Sequence, residues 1–404
     1  MPDVLEAAGR PETPAPGEAP GFREAFEVPE TSGPWITAGR CMSIKMFLSW
    51  LGGKRIAGHN IVLGRSMAQP TTQFSMSNPP VEVRYALYLT LIVSFGAFLV
   101  LASIPVSLFD LSSTVVSFGL LLLSYLLFTS QHYVEWLRER TAKSRLLFPA
   151  MLLAVYILYA LGPGRLRIPE SLLIPAYLAF PVLFATLAAR RGERPNRFDL
   201  LTIAFLYLPV ELSALARAWQ PSQHGIPTPT HAFSQILGMN LALFCFLVVR
   251  PIDGIGFTFR LRKNDVVQAL IAFAWFFPVA LVFAGLTGLV SFMPHLPGAA
   301  LVIPMILGKS LMVALPEEVL FRGLLLNLMQ RAAPSPRGRM AALIISSVIF
   351  GLTHVNNNPW FDWRYVTIAT VAGIAYGIVY NRTGKVTASA ITHSLIDVVR
   401  GLFF

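Results

Sequence analysis

The sequence predicts an all-α fold, a polytopic transmembrane helix bundle with about eleven candidate spans, and three observations carry that prediction. Of its 404 residues 54% are hydrophobic and 13% charged, whereas soluble domains are about 25% charged. Mean hydropathy is +0.60. Apolar segments of about 16 to 30 residues recur along the chain, and a helix needs about 20 to cross a bilayer. Most of the Lys and Arg lie in short loops between those segments, where they act as topology signals. The net charge of +11 is therefore not a nucleic-acid footprint, and no nucleic-acid partner is expected. Cys41 and Cys245 are far apart in the chain, which supports neither a disulfide framework nor a metal site.

Residues 1–83 read as a tail. Its first thirty positions are rich in Pro, Glu and Gly without an apolar core, which favours disorder. From about Gly33 to Arg84 it turns basic, with Arg40, Lys45, Lys54, Arg55, Arg65 and Arg84. Its apolar patch, Met46 to Leu51, is too short to span, and the acidic leader is not that of a secretory signal peptide. A plain linker, or a misjudged start codon, fits better than an amphipathic surface segment.

Candidate spans follow at about 85–104, 112–131, 146–162, 170–189, 198–216, 231–249, 265–291, 299–330, 340–356, 364–381 and 386–404. Residues 84–197 form accessory helices, 198–298 further helices of the bundle, and 299–404 the block that holds the chemistry. Basic loops such as 138–145, 190–194 and 260–263 alternate with nearly charge-free ones such as 219–230 and 292–298. The positive-inside rule puts the basic loops, and the N-terminus, in the cytoplasm, and the expected location is a bacterial inner (plasma) membrane. The loop carrying Arg165 and Arg167 fits this scheme poorly, because it falls outside. Pro209, Pro278, Pro304 and Pro316 predict kinks within spans.

Charged groups interrupt the last spans. In Pro316-Glu317-Glu318-Val319-Leu320-Phe321-Arg322-Gly323, each charge at mid-membrane costs about 2.5 to 3.5 kcal/mol on insertion scales. Glu318 and Arg322 are four apart and can pair, whereas Glu317 is turned by about 100° and is left spare. His354 closes the next span, and His393 and Asp397 share a face of the last. By itself each histidine reads as an interfacial or satisfied core residue, and the glutamate pair as a solvated helix end. Counting about 1.5 Å per residue from the cytoplasmic ends puts Glu317, His354, Asp397, Arg322 and His393 in one layer about 10 Å thick. Ionisable groups at that depth face a bundle interior or a wet cavity and mark a functional site. Gly373 and Gly377 allow close helix packing beside it. Glu211, with Arg217 six residues on, is read as interfacial, or else as lining a substrate access cavity.

A spare glutamate suits a general base, and two imidazoles can orient a water, donate to an oxyanion or protonate a leaving amine. The chemistry indicated is carbonyl hydrolysis by an activated water. Ser394 adjoins His393 but points away from it, and no GxSxG occurs, so a nucleophilic serine is less supported. No cofactor is expected. A zinc ion on Glu317, His354 and His393 is the alternative, since His2Glu with an open position is a catalytic set, although there is no HExxH and Arg322 would oppose a cation.

Glu317-Glu318-x-x-x-Arg322, Phe350-x-x-x-His354 and His393-x-x-x-Asp397, with Tyr380-Asn381-Arg382-Thr383-Gly384 before the last, resemble the three motifs of the CPBP (CAAX-processing and bacteriocin-processing) family of intramembrane proteases. That group contains the Ras-converting CAAX endopeptidase, and the resemblance covers about residues 300–402. It implies that Glu317 activates water, that His354 helps hold it, that His393 and the residue at Asp397 stabilise the oxyanion, and that Glu318 and Arg322 support them. CAAX endopeptidases carry Asn at the last position. Asp397 departs from this, and an ionised carboxylate cannot donate to an oxyanion, so Asp397 either orients His393 or is protonated. The expected protein is an intramembrane endopeptidase in contact with membrane lipids, acting on a peptide or membrane-protein substrate. A non-proteolytic immunity or scaffold protein that retains the motifs, or a proton-coupled transporter, are the alternatives; a transporter would show repeated halves with broken helices, and none is detected.

Overall fold

A computed structural model describes residues 80–102, 107–220, 230–294, 298–357 and 361–404, and among these the secondary structure is helical, with no strand. The expected tail, apart from its last residues, lies outside the described residues. Those last residues are helical, because α1 is Val81–Leu101. Pro80 supplies the turn into it, and Glu82 in its first turn suits the positive helix end and pairs with Arg260.

The further helices are α2 Leu108–Leu127, α3 Gln131–Arg138, α4 Leu147–Ala160, α5 Leu173–Ala189, α6 Arg197–Glu211 and α7 Thr230–Leu243, the last extended by π-helical Phe244–Val249. Then come α8 Lys263–Thr287, a composite α9, α10 Pro336–Leu352, α11 Trp363–Thr383 and α12 Val386–Phe403. Rod α9 runs through Ala299–Gly308, π-helical Lys309–Ala314, Leu315–Glu318, π-helical Val319–Leu326 and Asn327–Ala332. Local chemistry sets many of the starts: Ser107 caps α2, Asn196 and Asp199 form a capping box on α6, and Ser335 caps α10 with Pro336 at its first position. Asp362 caps α11 and also takes two hydrogen bonds from the Arg364 guanidinium (2.9 and 2.8 Å), which hold its carboxyl below the usual carboxylate range.

Helices occupy all eleven expected positions, yet seven are long and apolar enough to cross a membrane by length and composition: α1, α2, α4 with its preceding turn, α5, α7 with its π turn, α8 and α10. The count of eleven spans is not confirmed. Helix α6 has 15 residues, α9 is interrupted by Lys309, Glu317, Glu318 and Arg322, and α11 and α12 are diluted by polar residues.

Helix α7 is the most buried of the apolar helices, at 78%. It packs against α2, α5 and α6 on one side and against the π-helical Lys309–Ala314 of α9 on the other, so it joins the N-terminal helices to the C-terminal block. Asn240 fixes one contact by donating to Leu121 O at 2.9 Å. In the block, α10 crosses α11, and α8 packs on α11 and α12.

The poor fit of Arg165 to the loop-charge pattern has a physical reason. Its guanidinium is fully buried, ion-paired with Asp110, in contact with the hydroxyls of Ser113 (3.2 Å) and Thr114 (2.6 Å), and placed over the Tyr159 ring at 4.2 Å. A neutralised internal cation is not a topology signal.

Candidate active site

Sequence places a proline where α9 must stay helical. Pro316 has no N–H for the preceding turn, and π-helical turns lie on both sides of the short Leu315–Glu318 segment. Glu318 points into the bundle and is completely buried. Its Oε1 accepts from Arg322 (2.8 Å) and from His393 Nδ1 (3.0 Å), and its Oε2 accepts from Ser389 Oγ at 2.5 Å. Arg322 also donates to Gly373 O at 3.1 Å and sits 4.4 Å from the Phe350 ring centre and 5.1 Å from that of Tyr376. The charge pair is thus compensated, as a buried pair must be.

Glu317 is turned the other way. Its Oε2 is buried and takes no hydrogen bond among the described residues; His393 Nε2 lies 3.8 Å away. Asp397 Oδ2 stands 3.6 Å from the same nitrogen. The His393 ring is held by Tyr376, stacked at 4.5 Å with an interplanar angle of 16°. Since Glu318 accepts from Nδ1, that nitrogen carries a proton, and Nε2 is the atom turned towards Glu317 and Asp397.

His354 follows α10 in the 3-10 turn Thr353–Asn357. Its Nδ1 donates to Phe350 O at 2.9 Å, leaving Nε2 as the acceptor of the neutral ring. The Phe350 ring stands edge-on to His354 at 4.8 Å and to His393 at 5.9 Å, between the two imidazoles. Glu317, Glu318, Arg322, His393 and Asp397 therefore come together directly, and His354 joins them across one aromatic ring. Among the described residues no three His, Cys, Asp or Glu side chains are grouped so as to hold a metal ion.

Two supporting residues were not singled out from the sequence, Ser389 and Tyr376, and Phe350 was named there only as the first position of the His354 motif. Ser389 precedes His393 by four residues on α12, so helical spacing was the signal for it. Tyr376 sits between Gly373 and Gly377, where the chain comes close to α10; a Cβ on Gly373 would meet Ser347 at 3.1 Å and the Phe350 ring at 3.3 Å.

Residues 299–399 match the family model described as Rce1-like, type II CAAX prenyl endopeptidase. This block is similar to the CPBP/CAAX protease family. It comprises α9 to most of α12, which carry five of the six site residues, and the turn after α10, which carries His354. At the level of family the similarity is to CAAX-type intramembrane endopeptidases, peptide hydrolases whose substrates are peptides or proteins. With seven helices long and apolar enough to cross a membrane, six outside this block and α10 within it, the chain is an integral membrane protein. The match leaves α1 to α8 without assignment, and no curated protein and no solved structure matches the chain.

Proposed function

We propose that the protein hydrolyses a peptide bond of a membrane-associated or peptide substrate, with Glu317 as the general base that activates water. The observation that carries this is the division of labour between adjacent carboxylates: Glu318 is consumed by Arg322, His393 and Ser389, whereas Glu317 Oε2 is buried without a hydrogen bond beside His393. A buried acceptor left unmatched costs about 1 to 3 kcal/mol, and that cost has a function if a water or substrate completes the set.

In this reading a water lies between Glu317 and His354 Nε2. Glu317 takes one of its protons as the oxygen adds to the peptide carbonyl carbon, and the C=O electron pair moves to the carbonyl oxygen. His393, fixed by Glu318 and Tyr376 and oriented by Asp397, acts as an imidazolium with a proton on each ring nitrogen and donates from Nε2 to that oxyanion. Collapse breaks the C–N bond, and the leaving amine takes the proton from Glu317. The products are a new carboxyl group and a new amine. No step passes through a cofactor.

The test is cleavage of a membrane-peptide library by detergent-purified protein and its Glu317→Gln variant. Loss of the base is expected to lower kcat by about 10²- to 10⁴-fold while the melting temperature holds. Full activity of Glu317→Gln ends the general-base role. EDTA is expected to leave the rate unchanged; inhibition that zinc reverses would put an ion on Glu317, His354 and His393 instead.

A further inference from the structure

The N-terminal helices, which the matched block does not include, enclose a cleft at their basic ends. Its volume is about 310 Å³, and its walls include Arg145 and Leu146 ahead of α4, Val182 on α5, Arg190 at the end of α5, and Phe244 and Val249 on the π turn of α7. Local contacts hold these three elements in place. Arg138 Nε donates to Leu247 O at 2.6 Å, tying the end of α3 to the π turn, and the Phe148 ring of α4 stacks on Phe244 at 4.7 Å.

The cleft is cationic at one end and apolar along its length. Arg145 is held at the basic end because its Nε donates to Arg140 O at 3.0 Å and its Nη2 to Arg138 O, which leaves Nη1 without an acceptor among the described residues. Arg190 is exposed, and its guanidinium makes no hydrogen bond or ion pair among the described residues. No carboxylate pairs with either arginine there. Val182, Thr186 and Ala189 also line the cleft and share one face of the last two turns of α5. At 1.5 Å per residue the cleft therefore reaches about 10 Å from the basic end into the apolar span. Both α4 with its preceding turn and α5 are long and apolar enough to cross a membrane, so the arginines sit where a span meets the headgroup layer. Leu146, 56% exposed, carries the apolar surface outward from the cleft.

We propose that this cleft binds one anionic phospholipid, its phosphate between Arg145 and Arg190 and the start of an acyl chain against Val182 and Leu146. Charge complementarity selects the headgroup, since guanidiniums are suited to phosphate oxygens and basic pockets between transmembrane helices take anionic lipids. The apolar wall selects a lipid over a free anion. The carbonyl end of α5 repels an anion, so binding depends on the arginines and not on the helix terminus. A lipid seated here bridges the turn before α4, α5 and the π turn of α7, and thereby braces the helix that joins the N-terminal helices to the C-terminal block. The assignment is independent of the hydrolytic reading.

The test is native mass spectrometry of full-length protein in detergent, titrated with phosphatidylglycerol or phosphatidylcholine of the same acyl chains, with melting temperature read in parallel. Wild type is expected to hold one phosphatidylglycerol at least tenfold more tightly than phosphatidylcholine, and to melt higher with it. Arg190→Gln is expected to weaken phosphatidylglycerol about fivefold, the effect of removing one basic group beside an anionic headgroup. Ala189→Trp, which keeps every charge but fills the cleft from an exposed position, is expected to lower occupancy as well. Both variants are expected to melt like the wild type without lipid, and because one acts through charge and the other through volume, either suffices if the other fails to fold. Arg337→Gln, at an exposed basic position outside the cleft, is expected to change nothing. Equal binding of the two lipids by wild type, or wild-type affinity in both cleft variants, overturns the proposal. An equal loss in Arg337→Gln makes the attraction a general property of the basic surface and also overturns it. Displacement of phosphatidylglycerol by an equal concentration of inorganic phosphate makes the cleft a free-anion site and overturns the lipid assignment.

Discussion

Glu317 and Glu318 are neighbours in sequence and differ in nearly every contact. Glu318 is completely buried and accepts from an arginine, a histidine and a serine, so the two residues should respond differently to neutralisation. A buried ion pair adds little net stability because desolvation offsets attraction, but removing one partner strands the other and costs about 3 to 5 kcal/mol. Glu318→Gln is therefore expected to lower the melting temperature in detergent by several degrees, whereas Glu317→Gln, with a side chain 24% exposed and no hydrogen bond at Oε2, is expected to melt like the wild type. Equal melting of the two variants would remove the structural role given to Glu318.

At the scale of elements, the site depends on where α12 begins. Helix α11 ends at Gly384, whose φ of 65° is left-handed, and the loop before α8 passes over this turn at Gly256, with φ 70°. Gly256 O accepts from Val386 N at 3.2 Å, and Lys385 bridges to Asp265 at 2.5 Å. A Cβ on Gly256 would fall 2.8 Å from Lys385 Cα, and a left-handed alanine costs roughly 1 to 2 kcal/mol before any clash. Gly256→Ala is expected to lower the melting temperature. It should also reduce hydrolysis, because moving the start of α12 displaces His393 and Asp397 together. Thermal unfolding and the cleavage assay read both effects, and a variant that melts and cleaves normally would show that this crossing does not set the position of α12.

Across the whole molecule, we propose the sidedness that the loop charges give, with Arg165 left out of the count because it is internal and paired with Asp110, whereas Arg167 beside it is exposed. Single-cysteine labelling with a membrane-impermeant maleimide checks the topology. In protein lacking Cys41, Arg337→Cys is expected to react from the cytoplasmic side and Phe292→Cys, at a site 69% exposed, from the opposite one. Cys245 is fully buried and should stay silent. Reaction of both positions from the same side would overturn the assigned topology.

The helices, their approximate limits and the three polar motifs were legible in the chain, because hydropathy, capping and helical spacing are local properties. Glu318 with Arg322, and His393 with Asp397, were visible for the same reason, each pair lying four apart on one helix. The sequence left open the number of true spans, and it could not assign Arg165, whose partner lies 55 residues away. Nor did it show Ser389 closing on Glu318 across 71 residues, Phe350 standing between two imidazoles, or Tyr207 of α6 packing on Phe321. Those contacts are set by helix crossings and by the π-helical turns around Pro316. Crossing geometry depends on how whole faces of side chains fit together, and no periodicity within one segment encodes it.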